Sequence, residues 1–245
     1  VFNFFCQPQP LNLQHIAIIM DGNARFAKYK GISIQDGHLF GTKNIEKIID
    51  HCLKIKLPYL SLYAFSSENW QRPAEEVSYL MQLLEQYLDN NLTKILEKQV
   101  KLLISGNLKK LSPTLCTKIN EAVQKTQHNQ KLILNVAFSY GARQEIVDAT
   151  SKIHQDISSG KINVNHLDEE LFASYLYQPQ LPDPDLLIRT AGDLRISNFM
   201  LWQIAYTELY FINKFWPSFA PRDLDKAIKN FQQRTRNYGT RKKNT

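Results

Sequence analysis

Short apolar runs alternating with amphipathic helical stretches restrict this chain to an α/β architecture. Strand-forming runs fall at 16–20, 59–65, 100–104, 132–138, 186–188 and 206–212. Between them the apolar residues change to helical spacing. Leu39, Ile45, Ile48, Ile49, Cys52 and Leu53 mark one stripe over 38–57, ended by Pro58. Val77, Leu80, Met81, Leu84, Leu88, Leu92 and Ile95 mark a second behind Pro73. Ser112-Pro113 opens a third helix, and further helices are predicted over 143–158, 166–175 and 223–238. Runs this short and this apolar, each followed by a helix, predict a single domain. Its mostly parallel central sheet has about six strands flanked by helices.

Charge and cysteine usage narrow the partners. The net charge of +7 favours an anionic partner, yet lysine and arginine are dispersed. The one dense run, Arg241-Lys242-Lys243, reads as a solvated tail. No clustered basic face with interleaved aromatics supports nucleic-acid binding. Cys6, Cys52 and Cys116 have no metal-ligand spacing and are expected as reduced thiols in a cytoplasmic protein. The first residues carry no basic stretch leading into an apolar one, so no secretory leader is expected in them. No segment is apolar for long enough to span a bilayer. The expected organisation is an arm at 1–14, a catalytic domain at 15–238 and a basic tail at 239–245. The apolar residues of the arm suit either a membrane-facing segment or a frayed end.

Polar residues gather where strands end, which is where open parallel sheets bind ligands. Behind the first strand stand Asp21, Gly22, Asn23, Ala24 and Arg25. A turn entering a helix offers backbone N–H groups to a diphosphate, an arginine adds charged donors, and an aspartate can hold a divalent metal. An ordinary Asp-Gly turn explains the same residues. Ser66, Ser67, Glu68, Asn69, Trp70 and Arg72 follow the second strand. Asp185, Arg189, Thr190, Gly192, Asp193, Arg195 and Ser197 surround the fifth. Two arginines with hydroxyls suit a second diphosphate, but Asp185 and Asp193 equally suit structural ion pairs with them. Glu208 lies in an aromatic strand and is expected to meet a cation, either arginine or metal.

These stretches together resemble the undecaprenyl diphosphate synthase, or cis-prenyltransferase, family, in its bacterial branch. The likeness is carried by His15-Ile16-Ala17-Ile18-Ile19-Met20-Asp21-Gly22-Asn23, by Tyr63 to Trp70 with Arg72-Pro73, and by Asp185-Leu186-Leu187-Ile188-Arg189-Thr190. Arg195-Ile196-Ser197-Asn198-Phe199 and Leu201-Trp202-Gln203 leading to Glu208 continue it in family order. The resemblance implies a homodimer that condenses farnesyl diphosphate with successive isopentenyl diphosphates to undecaprenyl diphosphate. That product feeds the lipid carrier of peptidoglycan and cell-wall synthesis. Asp21 and Glu208 are implied as Mg²⁺ ligands. Gly22, Asn23, Ala24, Arg25, Phe26, His38, Trp70 and Arg72 are implied at the allylic substrate. Arg189, Arg195 and Ser197 are implied at the isopentenyl diphosphate. Ser66 and Asn69 belong beside the reacting carbons, with Asn69 and Asp21 assigned to proton removal. The growing chain is implied to enter an apolar tunnel involving Ile48, Leu84 and Leu88, and the enzyme to touch the inner face of the membrane transiently.

The chain departs from the family pattern in places. Ile34 stands where an arginine is usual, which removes charge from the allylic side. Phe26 replaces a common tryptophan, and Thr190-Ala191-Gly192-Asp193-Leu194-Arg195 replaces Thr-Gly-Gly-Glu-His-Arg. A short-chain or atypical cis-prenyltransferase is therefore the alternative, and a non-catalytic lipid-binding subunit a more distant one.

Overall fold

The computed structural model describes residues 12–236. The expected tail, Cys6, nearly all of the expected arm and the end of the helix read to Tyr238 lie outside them. Six strands form one sheet: β1 (His15–Ile19), β2 (Tyr59–Ser66), β3 (Val100–Ser105), β4 (Leu132–Tyr140), β5 (Leu186–Arg189) and β6 (Glu208–Phe211). Their order across the sheet is β3-β4-β2-β1-β5-β6, and every neighbouring pair is parallel. β1 and β5 are buried along their whole length, which is why both read as unbroken apolar runs.

The helices are α1 (Asn23–Lys30), α2 (Ile34–Lys54), α3 (Ala74–Glu97), α4 (Pro113–Thr126), α5 (Ala142–Ser158), α6 (Glu169–Ala173) and α7 (Pro221–Gln232). α2 begins at Ile34 and not near 38, because the Ser33 hydroxyl accepts the Asp36 N–H at 3.0 Å and caps it. α4 starts as predicted, with Ser112 capping Leu115. The helix predicted over 166–175 is only the five-residue α6, preceded by a 3-10 turn at Val164–His166. The last strand is shorter than predicted, since Tyr206 is exposed and pairing begins at Glu208.

Alternation along the strands divides the core. Ile16, Ile18, Leu60, Leu62 and Leu134 belong to the larger apolar cluster, with Ile48, Leu88, Ile119 and Leu224 from the helices. Ala17, Ile19, Tyr63, Ala137 and Leu187 belong to the smaller one, with Tyr140, Phe199 and Met200. Beside it a buried polar chain crosses four strands. Ser105 Oγ donates to Asn135 Oδ1, Asn135 Nδ2 donates to Ser61 Oγ, and Ser61 Oγ lies 2.8 Å from His15 Nε2. His15 Nδ1 lies 2.6 Å from the Pro182 carbonyl, which can only accept. The ring therefore carries its proton on Nδ1, and Nε2 accepts from Ser61. Every member of the chain is satisfied, as burial requires.

The topology reverses at β1. From β1 the chain moves to β2 and its neighbours, then returns to β5 on the other side. The carboxyl ends of β1, β2 and β5 therefore border one crevice, the place where open parallel sheets bind ligands.

Candidate active site

The crevice is a cleft of about 750 Å³. Asp21, Gly22, Asn23, Ala24 and Arg25 enter it from the turn behind β1, and Ser66, Asn69 and Arg72 from behind β2. His38 comes from α2, and Arg189, Arg195 and Ser197 from the end of β5 and its loop. Three clusters that are far apart in sequence thus meet in one place.

Gly22 makes the first turn possible. It has φ of 102°, and a Cβ there would stand 2.8 Å from Phe215 Cδ1 and 2.9 Å from the Ala191 Cβ. The Asp21 N–H donates to Thr190 Oγ1 at 2.9 Å, tying the turn behind β1 to the loop behind β5. Asp21 then meets Arg189 Nη2 at 2.8 Å and Arg25 Nη2 at 3.1 Å. Arg189 Nη1 donates to Ser197 Oγ at 2.7 Å and also to the Arg195 carbonyl. The loop is held in unusual backbone conformations, with left-handed φ at Ala191, Ser197, Asn198 and Met200. Asn198 anchors it, accepting from the Arg143 N–H and donating to Glu68.

Ser66 and Asn69 form a reciprocal cap. Asn69 Oδ1 accepts the Ser66 N–H at 3.0 Å, and Ser66 Oγ accepts the Asn69 N–H at 3.3 Å. On the opposite wall Arg72 donates to Glu76 Oε1 at 2.9 Å, and His38 Nε2 lies 3.2 Å from the same oxygen. Burial lowers the pKa of His38, although Glu76 opposes the shift. Sequence reading missed Glu76; its signal was its place in the first turn of the helix behind Pro73, four residues after Arg72. It also missed that Asn198 is the loop's anchor.

Three expected site residues do not line the cleft. Phe26 is buried on the inner side of α1 and packs edge-on against Phe40 at 5.9 Å. Trp70 donates through Nε1 to Ser139 Oγ at 2.9 Å and packs on Phe65, so its ring is a prop beneath the turn. Glu208 opens β6 opposite Leu186, three residues before Arg189 on β5, which is about 10 Å back along the sheet. There it accepts from Arg234 Nη1 at 2.7 Å, so the cation it meets is an arginine. Asp185 is likewise structural: it accepts the Gln14 and His15 N–H groups and pairs with Arg236. Asp193 stays with the site, where it pairs with Arg25 and Arg195. Ile34 is 45% exposed and does not line the cleft itself, but it lines an adjoining pocket with His38 and Glu76, which do.

An apolar cavity of about 110 Å³ lies between the sheet and helices α2 and α3. It shares Met20, Asn23, His38, Ala64, Phe65 and Leu80 with the cleft and so adjoins it. Leu84 and Leu88 line it as expected, whereas Ile48 is plain core and Ile45 takes the lining position. Among the described residues no group of three or more His, Cys, Asp or Glu could hold a metal ion alone, and no helix is long and apolar enough to cross a membrane.

The comparisons with known proteins agree with this geometry. The family described as "Putative undecaprenyl diphosphate synthase" matches residues 19–239. An isoprenyl transferase of Fusobacterium nucleatum is 45% identical over 226 residues, covering 92% of this chain and 95% of that one. One of Rickettsia typhi is 46% identical over 229 residues, covering 94% and 99%. Among solved structures, lavandulyl diphosphate synthase from Lavandula x intermedia in complex with dimethylallyl diphosphate superposes with a TM-score of 0.91 at 33% identity, over 95% of this chain and 100% of that one. A probable undecaprenyl diphosphate synthase from Campylobacter jejuni does so at 0.78 and 35%, over 93% and 99%. Sequence, fold and cleft thus converge, and the chain belongs to the isoprenyl transferase, or cis-prenyltransferase, family.

Proposed function

We propose that this enzyme joins an allylic diphosphate to isopentenyl diphosphate, releasing inorganic diphosphate and a proton and leaving a new Z double bond. One observation carries the reading: an apolar cavity adjoins a cleft whose wall holds four arginines. That arrangement accepts a ligand with an anionic head and a hydrocarbon tail. The allylic C–O bond breaks as the isopentenyl double bond forms the new C–C bond. The departing diphosphate gathers negative charge, which Arg25, Arg72 and the N–H groups opening α1 stabilise. Arg189, Arg195 and Ser197 hold the second diphosphate, and a fixed separation between the two heads supplies orientation. Ser66 and Asn69 stand beside the reacting carbons, with Asn69 and Asp21 assigned to the departing proton.

Mg²⁺ is the proposed cofactor. It is commonly bound through one or two carboxylates completed by substrate phosphates. Asp21, a partly exposed carboxylate in a cleft with room for diphosphate, fits that habit. When bound, the ion supplies charge stabilisation to the leaving diphosphate. Glu208 does not share the cleft with Asp21 and is not proposed as a ligand within one chain.

Product length has two readings. Farnesyl diphosphate elongated to undecaprenyl diphosphate, for cell-wall lipid carrier supply, has the family description and the Campylobacter jejuni structure in its support. A shorter product is favoured by the cavity. At about 110 Å³ it is small for an undecaprenyl tail. The close superposition on lavandulyl diphosphate synthase supports the same reading. We take the short product as the better supported. A homodimer in the cytoplasm, with passing contact at the membrane surface, completes the proposal. Chain-length analysis of product from dimethylallyl or farnesyl diphosphate, labelled isopentenyl diphosphate and Mg²⁺, with an EDTA control, tests it. Metal-dependent short products support the preferred reading, and undecaprenyl-length product supports the other. No incorporation from any allylic primer overturns the activity.

A further inference from the structure

Three guanidinium groups of the cleft converge on one carboxylate oxygen. Asp193 Oδ2 lies 2.9 Å from Arg25 Nη2, 3.1 Å from Arg195 Nη2 and 3.7 Å from Arg189 Nη2. These arginines come from α1, from the loop behind β5 and from the end of β5. Asp21 takes further contacts of Arg25 and Arg189, so two carboxylates and three arginines make one continuous ion cluster. Carboxylate and phosphate oxygens accept from arginine with the same geometry. An acidic oxygen at this focus therefore stands where an oxygen of a bound diphosphate finds its best donors.

Resting on the reading of the cleft as a diphosphate site, we infer that Asp193 is a positioning residue, an internal stand-in for a diphosphate oxygen. It holds Arg25, Arg189 and Arg195 convergent and gives way when diphosphate arrives. The stand-in acts on both binding and release. Arg189 is only 4% exposed, and an arginine that buried is costly to leave without an anion. Between turnovers Asp193 and Asp21 supply one. A diphosphate carries more negative charge than a carboxylate and more acceptors, so it wins the exchange. The departing diphosphate has the same advantage, and without a competitor three convergent arginines would retain it. Asp193 is 26% exposed, on a loop, and can withdraw without disturbing the core. A side chain that merely braced the loop would weaken diphosphate binding when removed. A stand-in does the reverse.

The test is calorimetric titration of the full chain with inorganic diphosphate, without metal, for wild type, Asp193→Asn, Asp193→Ser and Asp193→Glu. Thermal melts establish that each variant is folded. Removing the competing charge in Asp193→Asn and Asp193→Ser is expected to tighten binding about tenfold, while Asp193→Glu stays within about threefold of wild type. In steady state the two neutral variants are expected to show lower KM together with lower kcat, with stronger inhibition by diphosphate. Unchanged or weaker binding in both folded neutral variants overturns the stand-in role while leaving the diphosphate site intact. Absence of binding in every form overturns the site along with it.

Discussion

Arg189 Nη2 lies 2.8 Å from Asp21 Oδ2, and this single pair joins the end of β5 to the turn behind β1. The strand that leads to Asp21 and the strand that ends at Arg189 are neighbours in the sheet although the residues are 168 apart in the chain. The pair places the proposed metal carboxylate beside the donors assigned to the second diphosphate, so the proposed sites for both substrate heads meet at the switch point of the sheet.

Asp21→Ala is expected to lower kcat by about 100-fold or more, because its contribution is made while charge develops on the leaving group. KM for either substrate should move far less, since Arg25, Arg189 and Arg195 remain. Steady-state kinetics with saturating Mg²⁺ check this. Near-wild-type kcat in Asp21→Ala would sink the assignment of Asp21.

Much of this was legible in the chain because burial on both faces leaves a plain record. β1 and β5 are continuous apolar runs since no residue in either reaches solvent. Asp21, Arg25, Arg189, Arg195 and Ser197 were legible for a related reason, as charged and hydroxyl residues placed where such strands end. Orientation around the site was not legible. Phe26 and Trp70 sit among site residues in sequence, but the turn of α1 sends one ring inward and the 3-10 turn at Ser67–Gln71 sends the other onto Phe65. Glu208 presents the same difficulty over a longer distance. Its partner Arg234 lies 26 residues away, and only the tertiary fold brings them together.

Gly22→Ala should destabilise the protein by about 2 kcal/mol or more. The left-handed backbone disfavours any Cβ, and this one would press on Phe215 and Ala191. For a chain of this length that lowers Tm by roughly 4–8 °C. A thermal melt measures it, and an unchanged Tm would mean that the turn relaxes without cost.

The buried His15 makes stability sensitive to mild acid. Burial lowers its pKa from 6.5 to about 4, against the Pro182 bond and the Asp185 charge, which raise it. Between those values the unfolded chain binds the proton and the folded one does not. The stabilisation is therefore complete above pH 6.5 and is lost progressively as pH falls toward 4. By pH 5 the loss is on the order of 2 kcal/mol. Urea denaturation at pH 7.5 and pH 5 should show it, and His15→Gln should flatten the dependence. Equal pH slopes in the two proteins would remove His15 as its source.

Trp70→Phe separates a prop from a substrate contact. The variant keeps a ring against Phe65 but loses the bond to Ser139, at about 1 kcal/mol, and part of the ring beneath Lys110. A small drop in Tm with unchanged KM values is expected. A tenfold rise in KM with Tm intact would place the indole at the substrate.

Leu84→Trp tests whether the cavity between the sheet and α3 receives the growing chain. Leu84 lines that cavity from α3, while Asn23 and His38 stand where it meets the cleft. A larger side chain at Leu84 takes space from the tail and leaves the diphosphate donors untouched. Product should shift toward shorter chains, with the first condensation within about threefold of its original rate. Ile48→Val is the contrasting change. Ile48 is fully buried outside the cavity lining, so its loss of one methylene should cost about 1 kcal/mol of stability and leave product length alone. Product analysis by chain length, run on both variants beside wild type, decides between them. A Leu84→Trp enzyme with the wild-type product distribution would mean that the tail leaves the cleft by another route.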